Sequence, residues 1–287
     1  MKVSIIIPTY NEERNIGMCL ESLFKQTLQG ASLQGLEVIV VDDGSSDNSK
    51  VITQKLKLQI KGQKLILLEQ NHKGAGAARN LGAKHSIGEI LVFVDADMTF
   101  DINFINDLIK PIVDGKVVGT FSKNEMLANK NNIWAICWNL NRGLPGDRMH
   151  PVGYPDTQKV FRAILKSEFD RVGGFNEKAG YTDDWSLSER LGVEARVAPG
   201  AIFYHRNPDS LKEVFVQSKW MAKRKYKFGL FGLIIALLRV SLLLSLLKGL
   251  FLSIRYHALA FVVFKLVSDL GQFFGILEYQ IFRKVSK

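Results

Sequence analysis

Four short apolar runs limit how this chain can fold: Val3 to Ile7, Val38 to Val41, Leu65 to Leu68 and Ile90 to Val94. Each is apolar at successive positions and mostly rich in β-branched residues. That pattern predicts strands buried on both faces. Between them lie helical patterns. Ile16, Leu20, Leu23, Phe24 and Leu28 recur at helical spacing behind Asn11, a predicted N-cap. The segment Asp42 to Asp47 is turn-rich and suited to cap the helix after it. Gly74 to Gly82 starts a helix whose small residues permit close approach to a strand or ligand. Strands alternating with helices predict an α/β fold built on a mostly parallel, right-handed sheet flanked by helices.

Such a sheet gathers its strand C-termini in one crevice, where ligands of open α/β sheets bind. Four segments arrive there: Pro8-Thr9-Tyr10-Asn11-Glu12, Asp42-Asp43, the loop from Asn71 to Gly76, and Asp95-Ala96-Asp97. Asp95 and Asp97 lie at i and i+2, on the same side of a strand end. Two carboxylates that close call for a positive partner, and a divalent cation on a diphosphate answers that need. An ordinary turn after the strand is the competing account. A carboxylate at a strand end can accept from a base N–H or a ribose hydroxyl, and Arg79 can reach a base or a phosphate. The lone Gly-x-Gly at Gly74 lacks the three-glycine dinucleotide fingerprint, and the Walker pattern is missing.

After Asp97 the pattern loosens. A helix from Asn103 to Asp114 kinked at Pro111, a strand from Val117 to Phe121 and a helix from Asn131 to Asn141 are predicted. Trp134 and Trp138 give that last helix an aromatic face, best read as core. Gly143 to Gly153 reads as a mobile loop able to close over a bound donor. A strand from Lys159 to Leu165 and a tight turn at Gly173-Gly174-Phe175 follow. Asp183-Asp184 then opens an amphipathic helix through Leu187 and Leu191, and one of the pair is read as only its cap. Short strands from Ala195 to Ala198 and Ile202 to Tyr204 lead to His205.

Charge divides the chain. Of a net +10 over 287 residues, about +9 falls after residue 207, where 13 Lys and Arg face 4 Asp and Glu. The near-neutral remainder argues against a nucleic-acid-binding catalytic domain. Two domains are expected, 1–207 and 208–287. Two cysteines without metal-ligand spacing fit a reducing compartment and no disulfide framework. The apolar start of the chain is too short for a signal peptide.

The basic tail reads as a membrane-association segment. Phe228 to Ile254 is long enough to cross a bilayer. Arg239 inside it costs about 2.5 to 3.5 kcal/mol, whereas 13 Leu, Ile, Phe or Val from Gly229 to Leu247 each return about 0.3 to 0.6. In one continuous helix Arg239 and Lys248 stand on opposite sides, which argues against a surface-lying helix. Ala258 to Phe282 carries Lys265, Asp269 and Gln272 on one face. A helical hairpin pairing Asp269 with Arg239 is expected; a soluble helical dimerisation module is the alternative. The basic run places the catalytic domain in the cytoplasm.

Six motifs in order give the first 207 residues a recognisable character: Ile-Ile-Ile-Pro-Thr-Tyr-Asn-Glu (5–12), Val-Val-Asp-Asp-Gly-Ser-Ser-Asp (40–47), Gly-Ala-Ala-Arg-Asn-Leu-Gly (76–82), Val-Asp-Ala-Asp (94–97), Gly-Gly-Phe (173–175) and Asp-Asp (183–184). Together they resemble the family 2 inverting glycosyltransferases of GT-A fold. The resemblance implies that Pro8, Thr9, Tyr10, Glu12, Asp42, Arg79 and Asp95 bind the nucleotide. It implies that Asp95 and Asp97 contact ribose and hold Mg²⁺ or Mn²⁺, with Asp97 the direct ligand and His205 completing the site. Asp184 matches the catalytic base, and Asp183 stands where Glu is usual. The Gln-x-x-Arg-Trp signature of processive members is unmatched, since Gln217-Ser218-Lys219-Trp220 is one residue short, so single-sugar transfer is implied. The donor implied is a UDP-sugar ahead of a GDP-sugar, and the acceptor is lipid-linked or otherwise membrane-held. Two other functions compete. A sugar nucleotidyltransferase would want a Gly-rich loop after the first strand. A membrane scaffold with a degenerate nucleotide site would not need every acidic position filled.

Overall fold

The computed structural model describes residues 1–26, 36–59, 64–177, 183–224 and 226–282. In chain order the elements are β1 (Val3–Thr9), α1 (Ile16–Phe24), β2 (Leu36–Asp42), α2 (Ser49–Gln59), β3 (Lys64–Glu69), α3 (Ala75–His85), β4 (Ile90–Phe93) and β5 (Met98–Phe100). Then come α4 (Phe104–Val113), β6 (Gly119–Phe121), β7 (Asn124–Leu127), α5 (Ile133–Asn141), β8 (Thr157–Gln158), β9 (Ala163–Leu165), α6 (Lys166–Arg171) and α7 (Asp183–Leu191). β10 (Ala195–Val197), β11 (Ile202–His205), α8 (Leu211–Ala222), α9 (Gly229–Arg239), α10 (Leu242–Tyr256) and α11 (Ala260–Phe282) complete the chain. They form two compact units, Met1–Met126 with Val152–His205, and Leu127–Pro151 with Arg206–Ser286.

The first unit is built on an eight-stranded sheet in the order β3-β2-β1-β4-β9-β6-β10-β8. The β3-β2-β1-β4 half is parallel, as the alternation of strands and helices predicts. The other half is mixed, because β9 runs antiparallel between β4 and β6. Ile5, Ile6 and Ile7 are fully buried, as are Ile39, Val40 and Val41, so the two central strands carry core on both faces. Burying each such side chain contributes about 1.5 to 3 kcal/mol.

The first strand runs past Ile7 through Pro8 to Thr9. Ile6 O accepts from Val94 N on the β4 side, and Thr9 O accepts from Asp43 N on the β2 side. Alternation puts Pro8 on the β4 side, beyond the last paired residue, so its missing N–H costs no ladder bond. Asn11 is not the cap of α1. It sits at φ 57 and accepts from Ser46 N, while Asn15 occupies the cap position. Leu28 lies outside the described residues. Asp47 does accept from Ser49 N at the start of α2, as expected. Gly82 justifies the small-residue pattern of α3: a Cβ there would fall 2.5 Å from Ile6 Cγ2.

A second sheet, β5-β11-β7, forms around the expected strand at Ile202, but the sequence reading assigned no element to its outer strands, Met98–Phe100 and Asn124–Leu127. These strands are three and four residues long, too short to show periodicity. The expected strand from Lys159 to Leu165 reduces to Ala163–Leu165 for the same reason. Pro111 lies inside α4.

In the second unit, α5 begins at Asn132, whose side chain accepts from Trp134 N and Ala135 N. Trp138 is core, as expected, packed edge-on to Phe264. The apolar run after Phe228 is not one helix. It breaks at Val240-Ser241 into α9 and α10, bent by 56°. Asp269 does not meet Arg239. It accepts from Lys265 Nζ at 2.6 Å and Ser245 Oγ at 2.7 Å, because a partner one helical turn away is always in reach.

Candidate active site

The ends of β1, β2 and β4 place the predicted residues side by side. Asp42, the last residue of β2, is buried. Its Oδ1 accepts from Gly44 N and Ser45 N at 3.1 and 2.9 Å, a turn that needs Gly44 at φ 82. Its Oδ2 is buried and has no hydrogen-bond partner among the described residues. Asp43 shapes the loop before α3: Oδ1 accepts from Lys73 N and Gln70 Nε2, and Oδ2 from Gly74 N. His72 Nδ1 stands 2.9 Å from Asp43 Oδ2, and its ring stacks on Tyr10 at 4.1 Å. Pro8 is half-buried and Thr9 buried at the end of β1, and Tyr10 is exposed.

Asp95 follows β4. Arg79 Nη2 donates to its Oδ1 at 2.8 Å and Arg162 Nη1 to its Oδ2 at 3.0 Å. Burial alone would raise its pKa, but Arg162 and Arg79 overcome that and hold the carboxyl well below the usual range. Arg79 also donates from Nη1 to Asp184 Oδ1 at 2.7 Å. One guanidinium on α3 therefore ties the end of β4 to the first turn of α7. Asp183 opens that helix, and its side chain lies outside the described residues.

Asp97 stands apart from this arginine cluster. His205 Nε2 lies 3.0 Å from its Oδ2, and Glu125 Oε1 lies 2.6 Å from His205 Nδ1. Burial opposes protonation of His205, but Asp97 and Glu125 outweigh it and hold the imidazolium well above its ordinary range. Asp97 Oδ1 is buried with no hydrogen-bond partner among the described residues. No group of three His, Cys, Asp or Glu among those residues is arranged to hold a metal ion. Asp97 and His205 nonetheless suit one shared with a ligand: an anionic oxygen is unspent, and Glu125 can keep the Nδ1 proton while Nε2 coordinates.

Glu12 completes the crevice, accepting from Asn15 Nδ2 at 2.8 Å. Burial first, and then Asp97, raises its pKa to about 7. A folded-state pKa above the unfolded value makes this group's stabilising contribution full below about pH 4. It is lost as pH rises through 7. Glu12→Gln is therefore expected to stabilise the fold at pH 8 by about 1 to 3 kcal/mol and to change little at pH 4. Urea unfolding at the two pH values checks this; equal differences at both would refute it.

Arg162 and Glu125 were not found by sequence reasoning. Each belongs to no motif, and Glu125 reaches His205 only through the unforeseen small sheet.

Residues 4–173 match the family described as "Glycosyl transferase family 2". The chain belongs to glycosyltransferase family 2. Among curated relatives of this family 2 glycosyltransferase, YdaM of Bacillus subtilis, a probable glycosyltransferase, is 28% identical over 240 residues, covering 78% of this chain and 56% of YdaM. Glycosyltransferase AglE of Haloferax volcanii is 42% identical over 95 residues, 33% of this chain and 30% of AglE. The family 2 chain thus spans only part of the curated relatives it matches. Its fold is that of the mannosyltransferase PcManGT from Pyrobaculum calidifontis, solved with GDP-Man and Mn²⁺ (TM-score 0.60, 19% identity, 94% of this chain and 86% of that one). It is also that of S. aureus TarS 1-349 with UDP-GlcNAc (TM-score 0.57, 17% identity, 98% and 92%). This bears out the GT-A architecture with a C-terminal apolar helix.

Proposed function

We propose that this family 2 glycosyltransferase moves a single sugar, with inversion, from a nucleoside diphosphate sugar to a membrane-held acceptor, with Mg²⁺ or Mn²⁺. The observation that carries the donor site is the pair of unspent buried oxygens, Asp42 Oδ2 and Asp97 Oδ1. Asp42 ends β2 and Asp97 follows β4, the strands on either side of β1, so both belong to the crevice beyond the sheet. Asp42 Oδ2 accepts a base N–H, the exposed Tyr10 ring lies against the base, and Asp97 faces the diphosphate. A divalent cation on Asp97 and His205 would supply charge neutralisation at the leaving diphosphate. A UDP-sugar is the first choice of donor, since a solved neighbour holds UDP-GlcNAc, and a GDP-sugar the second.

Asp184 takes the proton of the acceptor hydroxyl as its oxygen bonds to the anomeric carbon. The carbon–diphosphate oxygen bond breaks on the opposite face, so one displacement inverts the centre. Arg79 positions Asp184 through Oδ1, and Arg79 and Arg162 together keep Asp95 ionised for the donor's hydroxyls. Support for a membrane-held acceptor is the apolar, basic segment 208–287, which also favours a cytoplasmic catalytic domain over 1–207.

A panel of UDP- and GDP-sugars, scored by thermal shift with Mn²⁺, tests the donor site: one donor raises Tm, and none doing so sinks the proposal. Asp184→Asn is expected to keep that shift while turnover drops about 10²- to 10⁴-fold. Unchanged turnover would remove Asp184 from the role of base.

A further inference from the structure

α9 and α10 are packed inside out. On α10 the buried positions are Ser245, Gly249 and Ser253, at i, i+4 and i+8. Ser245 Oγ donates to Asp269, and a Cβ on Gly249 would fall 3.0 Å from Val262 Cα, so this small, polar stripe is the packed face. Apolar side chains fill the exposed surface of α10, with Leu243, Leu247, Leu250 and Ile254, at i, i+4, i+7 and i+11, opposite the packed stripe. α11 is mixed: it buries Phe261, Phe264 and Ile276 together with Lys265, Ser268 and Asp269, while Leu270 and Phe274 face outward. α9 buries no residue and exposes Leu230, Phe231, Ile234 and Leu238 along one face. A helix in water does the reverse. Helices in lipid associate through small and polar residues and present apolar side chains outward.

The same helices are poorly suited to crossing a bilayer. At 1.5 Å per residue α9 and α10 are about 16 and 22 Å long, against a hydrocarbon core of about 30 Å. Joined across the 56° bend they reach about 34 Å, so a span would need both helices and would set the break and Arg239 near mid-membrane, where a cation is costly. α11 has the length, but α8 lies along its second half: Cβ atoms on Gly271 and Gly275 would fall 2.5 Å from Phe215 O and 2.2 Å from Lys219 O. Lys219 and Lys223 of that pair both bond Glu278, so ionic groups flank α11 where a span would need lipid.

Lys248 and Arg255 are exposed, two turns apart on one face of α10, and carry no ion pair among the described residues. Their sector lies between the packed stripe and the open leucine face. Arg239 ends α9 in the same unpaired state. Because α9 and α10 are separate helices, the placement of Arg239 and Lys248 on opposite sides of one rod no longer bears on the question.

We infer that α9 and α10 lie in the plane of a single leaflet of an anionic membrane, with their Leu and Phe faces among the acyl chains and Arg239, Lys248 and Arg255 at the level of the lipid phosphates. This deepens the membrane-held part of the proposed function and rests on that reading. The cations choose the occupant: a second protein copy with the same unpaired positive sector would be repelled, whereas anionic headgroups complement it.

Flotation of the full chain with vesicles of phosphatidylcholine, with and without added anionic phosphatidylglycerol, tests this. Binding to the anionic vesicles is expected, weakened about 30-fold by Lys248→Gln with Arg255→Gln, at roughly tenfold per 1.4 kcal/mol and 1 kcal/mol per cation. Leu247→Glu with Phe251→Glu is expected to abolish it with unchanged helix content. On bound vesicles, Lys248→Cys is expected to react with an impermeant maleimide added outside. Protection of that cysteine, or reaction only from the lumen, means a span and overturns the inference. Equal binding to neutral vesicles, or no binding with a concentration-dependent dimer, overturns it too. Donor thermal shifts, read on the same protein in detergent, report the nucleotide site separately, so failure of one reading is not mistaken for failure of the other.

Discussion

Asp97→Asn is expected to erase the effect of Mn²⁺ on donor binding and to cut turnover about 10²- to 10³-fold. The substitution keeps the shape of the side chain and an oxygen able to face His205 Nε2, so the fold should persist. What it removes is the negative charge and the unspent Oδ1, which has no hydrogen-bond partner among the described residues. Asp95 is no substitute as a cation ligand, since two guanidinium groups already balance its charge. Calorimetric titration with Mn²⁺ and the donor identified by thermal shift gives the readout. In the wild-type protein EDTA should lower donor affinity, and in the variant EDTA should change nothing. Wild-type donor binding that is indifferent to EDTA would remove the cation from the proposal, and with it Asp97's role.

Gly275→Ala carries the largest expected effect on stability. Its new Cβ would sit 2.2 Å from Lys219 O and 2.9 Å from Ala222 Cβ, so a backbone carbonyl on one side and a packed methyl on the other must give way. Neither is the far end of a flexible side chain. α8 and α11 have to separate, loosening the Ser218–Ser268 hydrogen bond one face over. Overpacking of this kind costs about 1 to 3 kcal/mol, and a backbone clash belongs at or above the top of that range. Leu270→Ala, on the exposed side of the same helix, should cost within about 0.5 kcal/mol. Helix unfolding followed by circular dichroism in one detergent compares them. Equal midpoints would mean that the two helices do not pack through Gly275.

The sequence was most informative where one long pattern had one cause. β1, β2 and β4 were evident because burial on both faces forces an apolar run; β3 shows the same run but is the half-buried edge strand, so its expected burial on both faces is not met. Gly82 was evident because the close approach of α3 to Ile6 admits nothing larger. Asp42, Asp95 and Asp97 came to the crevice because strand ends in a parallel sheet must. Their positions follow from topology, while the tasks assigned to them remain with the experiments above. What stayed hidden depends on partners distant in sequence. Arg162 meets Asp95 across 67 positions, and Glu125 meets His205 across 80. No local period encodes such pairs. The break at Val240-Ser241 was missed because composition was averaged over a window that spans both helices. Lys265 took Asp269 from Arg239 because a neighbour one turn away needs no tertiary geometry to arrive.

The position of β9 bears on how the chain assembles as it is made. β4 receives β1 on one edge as soon as residue 93 is available, but its other edge is filled by Ala163–Leu165. Synthesis must therefore proceed roughly 70 residues further, many seconds at ribosomal speed, before that edge is covered. Throughout that interval a buried-type strand offers open N–H and C=O groups to any passing chain. Folding on the ribosome thus meets its chief hazard between the completion of β4 and the arrival of β9, and a nascent-chain chaperone would be needed most in that window.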